Sequence, residues 1–402
     1  MTDANTGMPV GDNSMPCDSA TPVRGVGPRR ALYIDSPVYA KAAYGPQHPL
    51  AIARTRTVAA LCRLHGWLPA GAYRLAAAAS LDVLTRFHQR DYVRALQHAD
   101  RSGQVSRSVR ERYAIGTMEN PLFAGVFERA ATTVGGSMLA AELALEGRIV
   151  YHPAGGTHHG RPDRASGFCY FNDPVFAIAT LLERGIERVL YVDLDAHHGD
   201  GVEDAWRDDP RVALFSIHEA ERWPYTGLGG AANEDLICNI PVPRGCNDSE
   251  FTTLLDGMFD PFAAAFAPQA VVVTCGADGL AGDPLSGMML SNTALWAAVE
   301  RSARLATPVV VLGGGGYNPW TVARCWAGLW ARLSGQRIGP ALSAPAVQVL
   351  STLECDLVDD EVFDPLWLDT LVDVPNTGPV RAEITALVQH WLARNQPTQA
   401  VG

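Results

Sequence analysis

The chain has 402 residues, 47% of them hydrophobic and 19% charged, which is enough to bury a large core and excludes a disordered acidic chain. Thirty-two Lys and Arg against 43 Asp and Glu leave a net charge of −11, which argues against a protein that grips nucleic acid by neutralising phosphate. The eight scattered cysteines include no CxxC pair, the first thirty residues lack the basic and apolar stretches of a signal peptide, and no apolar run approaches the ~20 residues that span a bilayer, so buried thiols, a cytoplasmic location and no membrane partner are expected.

Residues 1–29 are rich in Gly, Pro, Ser, Asn and Asp, show no hydrophobic period, and are expected to be disordered, as is the tail 397–402. Short apolar runs with strand-like length and β-branched content follow at 148–153, 188–195, 211–219, 235–242, 270–278 and 308–316. Helical patterns fall between most of them, at 172–185, 248–266, 291–306 and 319–335. Near-continuous apolar strands separated by helices predict a parallel sheet covered on both faces. Residues 337–377 read as irregular and 378–395 as a closing amphipathic helix. The expectation is one α/β domain over residues 30–396.

Ligands of open α/β sheets gather outside the carboxyl ends of the strands. Four predicted strands here end in polar clusters: HPAGGTHHG, DLDAHHGDG, CGAD and GGGGYN. In the densest, alternate residues of an extended strand end share a face, so Asp195 and His197 can point at one metal with Asp193 a step deeper. Asp278, at the end of another apolar strand, is the best-placed third ligand. An Asp/His/Asp set leaves an open position, as catalytic zinc requires. His158 and His159 follow a glycine turn and suit the role of bases beside the metal, with Asp193 and Asp200 as acids able to orient them. The run Gly313–Gly316 lacks the Lys-Ser/Thr of a phosphate loop, and it presents Tyr317 as an O–H donor for an oxyanion.

Seven ordered motifs then become specific: QHP at His48 with Arg54 six residues on, GGTHH at His158–His159, SGFCYFND at Ser166–Asp173, DLDAHHGDG at Asp193–Gly201, SIH at Ser216–His218, GADGLAGDP at Gly276–Pro284, and LGGGGYN ending at Asn318. In this order, over residues 31 to about 336, they resemble the histone deacetylase family, close to its bacterial acetoin-utilisation and class I members. The resemblance implies the three-layer α-β-α arginase/deacetylase fold with a central, mostly parallel eight-stranded sheet. It also implies a zinc-dependent hydrolase that removes acetyl or other acyl groups from lysine side chains. Carried over by residue, it implies Asp195, His197 and Asp278 as zinc ligands, His159 with Asp200 as the general base, His158 with Asp193 as the second histidine, and Tyr317 as the carbonyl-polarising tyrosine. Gly167, Phe168 and Trp223 would flank the acyl-lysine tunnel, with Leu285 at its mouth. A structural potassium ion would lie among Asp193, Asp195, His197, Ser216 and Ile217, and Arg54 would line an internal channel behind the zinc.

Three positions depart from the class I pattern. Glu119 stands where a rim aspartate grips the substrate backbone, Trp223-Pro-Tyr225 crowds the entrance, and Thr157 precedes the histidine pair where larger apolar residues are frequent. The expected partner is therefore an acyl-lysine peptide, protein or small acylated amine. An acetylpolyamine amidohydrolase on the same fold and a non-catalytic acyl-lysine binder are the alternatives. A binuclear arginase-like enzyme is disfavoured, because the positions of its extra carboxylates carry the two histidines.

Overall fold

Strands in which every residue is apolar, rather than every second one, can be buried on both faces. The strands Val189–Asp193, Ala270–Thr274 and Val309–Leu312 are of this kind apart from the terminal Asp193 and Thr274, and they occupy the middle of the sheet in the computed structural model of the chain. The structure describes residues 31–395 apart from 42, 46–47, 230–234 and 360. The expectations for 1–29 and 397–402 lie outside the described residues.

In chain order the strands are β1 (Leu32–Asp35), β2 (Tyr73–Leu75), β3 (Ile149–His152), β4 (Val189–Asp193), β5 (Val212–Glu219), β6 (Ile237–Val242), β7 (Ala270–Thr274) and β8 (Val309–Leu312). They form one sheet ordered β2-β1-β3-β8-β7-β4-β5-β6, and every pair is parallel. The mostly parallel sheet of the sequence reading is thus wholly parallel. The helices are α1 (Arg54–Leu64), α2 (Leu81–Leu84), α3 (Arg90–Ser102), α4 (Arg107–Tyr113), α5 (Val126–Ala144), α6 (Asp173–Glu183), α7 (Asp200–Trp206), α8 (Asp248–Leu254), α9 (Asp260–Phe266), α10 (Asn292–Leu305), α11 (Pro319–Leu333), α12 (Ala344–Ser351) and α13 (Ala382–Arg394).

Alternating residues of the strands feed two cores. Leu190, Val192, Val271, Val273, Val309 and Val311 face the apolar sides of α1, α10 and α11, whereas Val189, Tyr191, Val272, Val310 and Leu312 face α5 and α6. That division makes three layers, as expected. A satellite core under α2–α5 buries Tyr92, Leu96 and Phe171.

Several expectations need correction. The stretch 337–377 is not wholly irregular: α12 and a 3-10 turn, Pro365–Leu368, lie within it, held because Trp320 Nε1 donates to Leu350 O and Trp367 packs on the Trp320 ring. The helical pattern 248–266 is interrupted by a π turn at Leu255–Phe259. The strands behind the polar clusters end early, at Asp193, Thr274 and Leu312, because the following residues turn to deliver side chains rather than extend the ladder. Six of the seven described cysteines are buried, and Cys355 is partly exposed. No helix among the described residues is long and apolar enough to cross a membrane.

Candidate active site

The carboxyl ends of β3, β4, β7 and β8 meet at one rim, and the loops beyond them bring the polar clusters together. Asp195 and His197 do not sit on an extended strand, as alternation suggested. They lie in the turn after β4, where the Asp195 and His197 amides donate to Asp193 Oδ1 and Asp195 Oδ1. Asp278 follows β7 by four residues and is tied into the same turn by the Ala196 amide, 3.0 Å from its Oδ1. The result is a convergence the strand argument did not foresee in detail: donor atoms of Asp195, His197 and Asp278 lie within 4.8 Å of one another, all buried.

This donor set fits a metal. His197 Nδ1 is 2.9 Å from Asp278 Oδ2 and 3.3 Å from Asp195 Oδ1, so two buried carboxylates face one imidazole. Burial opposes charge on His197, yet hydrogen bonds to Asp195 and Asp278 outweigh it and lift its pKa to about 10. Burial and the like charge of Asp195 push Asp278 above the usual carboxylate range. Buried negative charge of this kind calls for a cation, and two carboxylates with one imidazole are a divalent metal's ligands. The glycine run explains itself here. The Gly315 amide donates to Asp195 Oδ2 at 2.6 Å, and a Cβ on Gly315 would collide with Asp278 Oδ2.

The two histidines are anchored by different acids. His158 Nδ1 lies 2.8 Å from Asp193 Oδ2, which also accepts from the Tyr191 hydroxyl, and His159 Nδ1 lies 2.9 Å from Asp200 Oδ1. Burial works against a charge on His158, but Asp193 and Asp195 prevail and raise it to about 9. Burial first, then the His158 charge, lowers His159 to about 3. The acids therefore favour the charged form of His158 while burial favours the neutral form of His159, although the ring centroids are only 3.9 Å apart. Tyr317 is held by its amide, which donates to Asp283 Oδ2 at 2.7 Å, while burial and the charges of Asp278 and Asp195 keep its phenol protonated.

Sequence reasoning missed what holds these groups. Asn172 caps α6 by accepting from the Val175 amide and donates from Nδ2 to His158 O and Gly160 O, so a helix start fixes the histidine loop. Asp173 beside it accepts from the Gly156 and Thr157 amides and the Ser137 hydroxyl. Its other partner, the Thr157 hydroxyl, makes a short contact. Asp283 receives both the Tyr317 and Leu285 amides. These three residues fell inside recognised motifs, and only their hydrogen bonds reveal their work.

Two cavities meet at the histidines. The outer one is lined by Glu119, Gly167, Phe168, Trp223, Leu285, His197 and Tyr317 among others. The Trp223 ring stands 4.6 Å from that of His159, and Phe168 stands 5.8 Å from Tyr317, so two aromatic walls flank the entrance. Glu119 is not left free at the rim: its Oε1 accepts from the Gly167 amide at 2.6 Å, bracing the turn in which Gly167 and Phe168 both adopt positive φ. Arg54 lies in the inner cavity, where its Nη1 donates to Gly314 O at 2.7 Å. Of the residues expected around potassium, Ser216 pairs in register with Asp193, its Oγ lies 2.8 Å from His218 Nδ1, and Ile217 is buried beside it in β5.

Comparison with known proteins follows the same outline. A histone deacetylase domain matches residues 48–333. The chain is 32% identical over 323 residues to histone deacetylase 8 of Xenopus laevis, covering 78% of this chain and 94% of the relative. It is likewise 32% identical over 325 residues to the acetoin utilization protein AcuC of Bacillus subtilis, covering 76% and 83%. The crystal structure of a histone deacetylase homologue from Aquifex aeolicus superposes with a TM-score of 0.86 at 33% identity, over 90% of this chain and all of the other. A further structure, of a homologue complexed with SAHA, superposes equally well.

Proposed function

The chain belongs to the histone deacetylase family of hydrolytic deacetylases, and from that premise we propose that it removes acetyl or other acyl groups from the side-chain amine of lysine, with a zinc ion held by Asp195, His197 and Asp278. The observation that carries this reading is the convergence of three buried donors beside two carboxylate-anchored histidines and a protonated tyrosine. The SAHA-bound homologue supports an acyl-lysine-like substrate.

Zinc at those ligands supplies an electrophile for the amide carbonyl and lowers the pKa of a neighbouring water. The protein does the rest. Asp200 engages His159 Nδ1, which leaves Nε2 as the acceptor; a neutral His159 takes the water's proton and returns it to the departing amine, a contribution of typically ~10²–10⁴-fold. His158, charged through Asp193, sets a positive field beside the developing negative oxygen. Tyr317 donates its hydroxyl to that oxygen, where loss of one donor costs roughly 10²–10³ in rate. Phe168 and Trp223 flank the lysine stem, while Glu119, Gly167 and Leu285 shape the mouth. The reading includes a structural potassium ion at Asp193, Asp195, His197, Ser216 and Ile217.

The test is metal analysis of the full-length protein together with acetate release from an acetyl-lysine peptide and from acetylated polyamines. One zinc per chain, peptide turnover abolished by chelation and its return with added zinc are expected. Activity that survives exhaustive chelation would remove the metal from the mechanism, and turnover confined to polyamines would replace lysine as the substrate.

A further inference from the structure

Behind the histidines lies a cavity of about 240 Å³, against the roughly 10–15 Å³ that a single water requires. Its lining begins at His158, His159 and Tyr317 and extends to Tyr39, Arg54 and Arg129. Among the described residues that line it there is no Asp or Glu, in a chain whose net charge is −11. Arg54 donates to the carbonyls of Gly314 and Gly316 and lies over the Trp326 ring; Arg129, from α5, donates to Val38 O and lies over the Tyr39 ring. Neither forms an ion pair among the described residues, whereas Lys41 at the margin is neutralised by Glu128. Two half-buried guanidiniums thus face one cavity without an anion. Burial, with the Arg54 charge adding to it, pulls Arg129 below its ordinary pKa.

We propose that this cavity receives the far end of the acyl group and selects chains that terminate in a second carboxylate, such as succinyl- or glutaryl-lysine, with Arg129 as the specificity-determining residue. The proposal rests on the deacylase reading and names its acyl class. The two cavities share His159, Gly167, Phe168 and Tyr317, so a lysine stem entering through the outer one directs its acyl chain into the inner one. Thr157 keeps the way open. Its side chain is short, and its hydroxyl is turned onto Phe171 O and the Asp173 carboxylate. An acetyl group would leave the cavity unfilled. A neutral longer chain would strip water from the guanidiniums and return nothing, whereas a carboxylate forms charge-assisted, forked hydrogen bonds with them. The step is ordinary hydrolysis: water adds across the amide C–N bond, the lysine amine leaves with a proton, and a dicarboxylic acid is released.

The experiment compares kcat/KM for one peptide carrying acetyl-, pentanoyl-, succinyl- or glutaryl-lysine in the zinc-loaded full chain. Dicarboxylic chains are expected to exceed pentanoyl by about tenfold or more, as hydrogen bonds to charged groups contribute about 1.5–3 kcal/mol. In Arg129→Gln that ratio collapses toward one, and in Arg129→Lys, which retains charge without the fork, it falls part of the way. Because the ratio is read within each variant, pentanoyl turnover serves as the control for folding. In parallel, free glutarate, acetate and pentanoate are tested for thermal stabilisation of the same proteins, and a glutarate shift that Arg129→Gln loses is expected. Turnover of acetyl- and pentanoyl-lysine with no dicarboxylic preference would overturn the proposal while leaving the deacylase reading intact. Equal stabilisation by acetate and glutarate would also overturn it, showing a site for the released product alone. If no acyl-lysine is hydrolysed, the deacylase reading fails, and the glutarate shift alone decides whether the cavity binds a dicarboxylate.

Discussion

The outer and inner cavities share a waist at His159 and Tyr317 but are built from different chemistry. The outer one is walled by the aromatic rings of Phe168 and Trp223, and its charges are mixed: Glu119, Glu221 and Arg222. The inner one holds arginines without acids. An aromatic slot recognises an alkyl stem by area and shape, and discriminates weakly between stems of one width. A charged recess discriminates strongly, because the wrong ligand leaves buried polar groups unpaired. On the proposed reading, lysine recognition belongs to the outer wall, acyl-chain choice to the inner recess, and the chemistry to the waist.

The harshest way to break this division is at the waist. Asp278→Asn removes one of two buried carboxylates facing His197, and metal content measured on the purified variant should fall together with turnover of every acyl-lysine, by several orders of magnitude. A variant that retains stoichiometric metal and activity would show that Asp278 is not a ligand. Next in size, Tyr317→Phe should lose roughly 10²–10³ in kcat while keeping metal and melting temperature, since only an oxyanion donor is lost. Equal loss on acetyl and longer acyl chains is expected, and a loss confined to one chain length would move Tyr317 from the chemistry into acyl selection. The smallest effect sharpens the picture of the outer wall. The class I pattern suggested that Glu119 grips a peptide backbone, so that small substrates would be spared by its removal. Its hydrogen bond to the Gly167 amide also makes it a brace for Phe168. Glu119→Ala should therefore weaken peptides and free acyl-lysine alike, by about three- to tenfold in KM, in line with a net contribution of about 0.5–1.5 kcal/mol for one such bond. A loss seen only with peptides would return Glu119 to the substrate.

Much of the fold was readable because buried parallel strands are written as unbroken β-branched runs; RVLYVDLD and AVVVTCGAD announce themselves without their neighbours. The edge strand β2 does not. β2 is three residues long and half exposed to exposed, so its apolar content is too small to signal a strand, and it exists because β1 offers it a ladder. The buried Asp195, His197 and Asp278 cluster was legible for a related reason: residues at the ends of obvious strands are placed by topology, and Asp and His are side-chain types that can serve a divalent cation.

By itself the amino-acid sequence determined a parallel α/β domain, the rim on which its chemistry collects, and the residue types gathered there, because these follow from local period and from strand ends. Only the tertiary structure decided which neighbour each group meets. Glu119 joins Gly167 across 48 residues, and Arg54 reaches Gly314 across 260. Arg129 was invisible as a site residue because it lies in none of the motifs, strand ends or helical patterns read from the sequence, and its helix, α5, emerged only in the structure. It faces a cavity because α5 packs its other side on the sheet and the 3-10 turn Pro37–Ala40 lays Tyr39 under the guanidinium. Hydrophobic pattern specifies what is buried, and a charge that is half-buried against a cavity is set by the packing of elements that are remote in sequence.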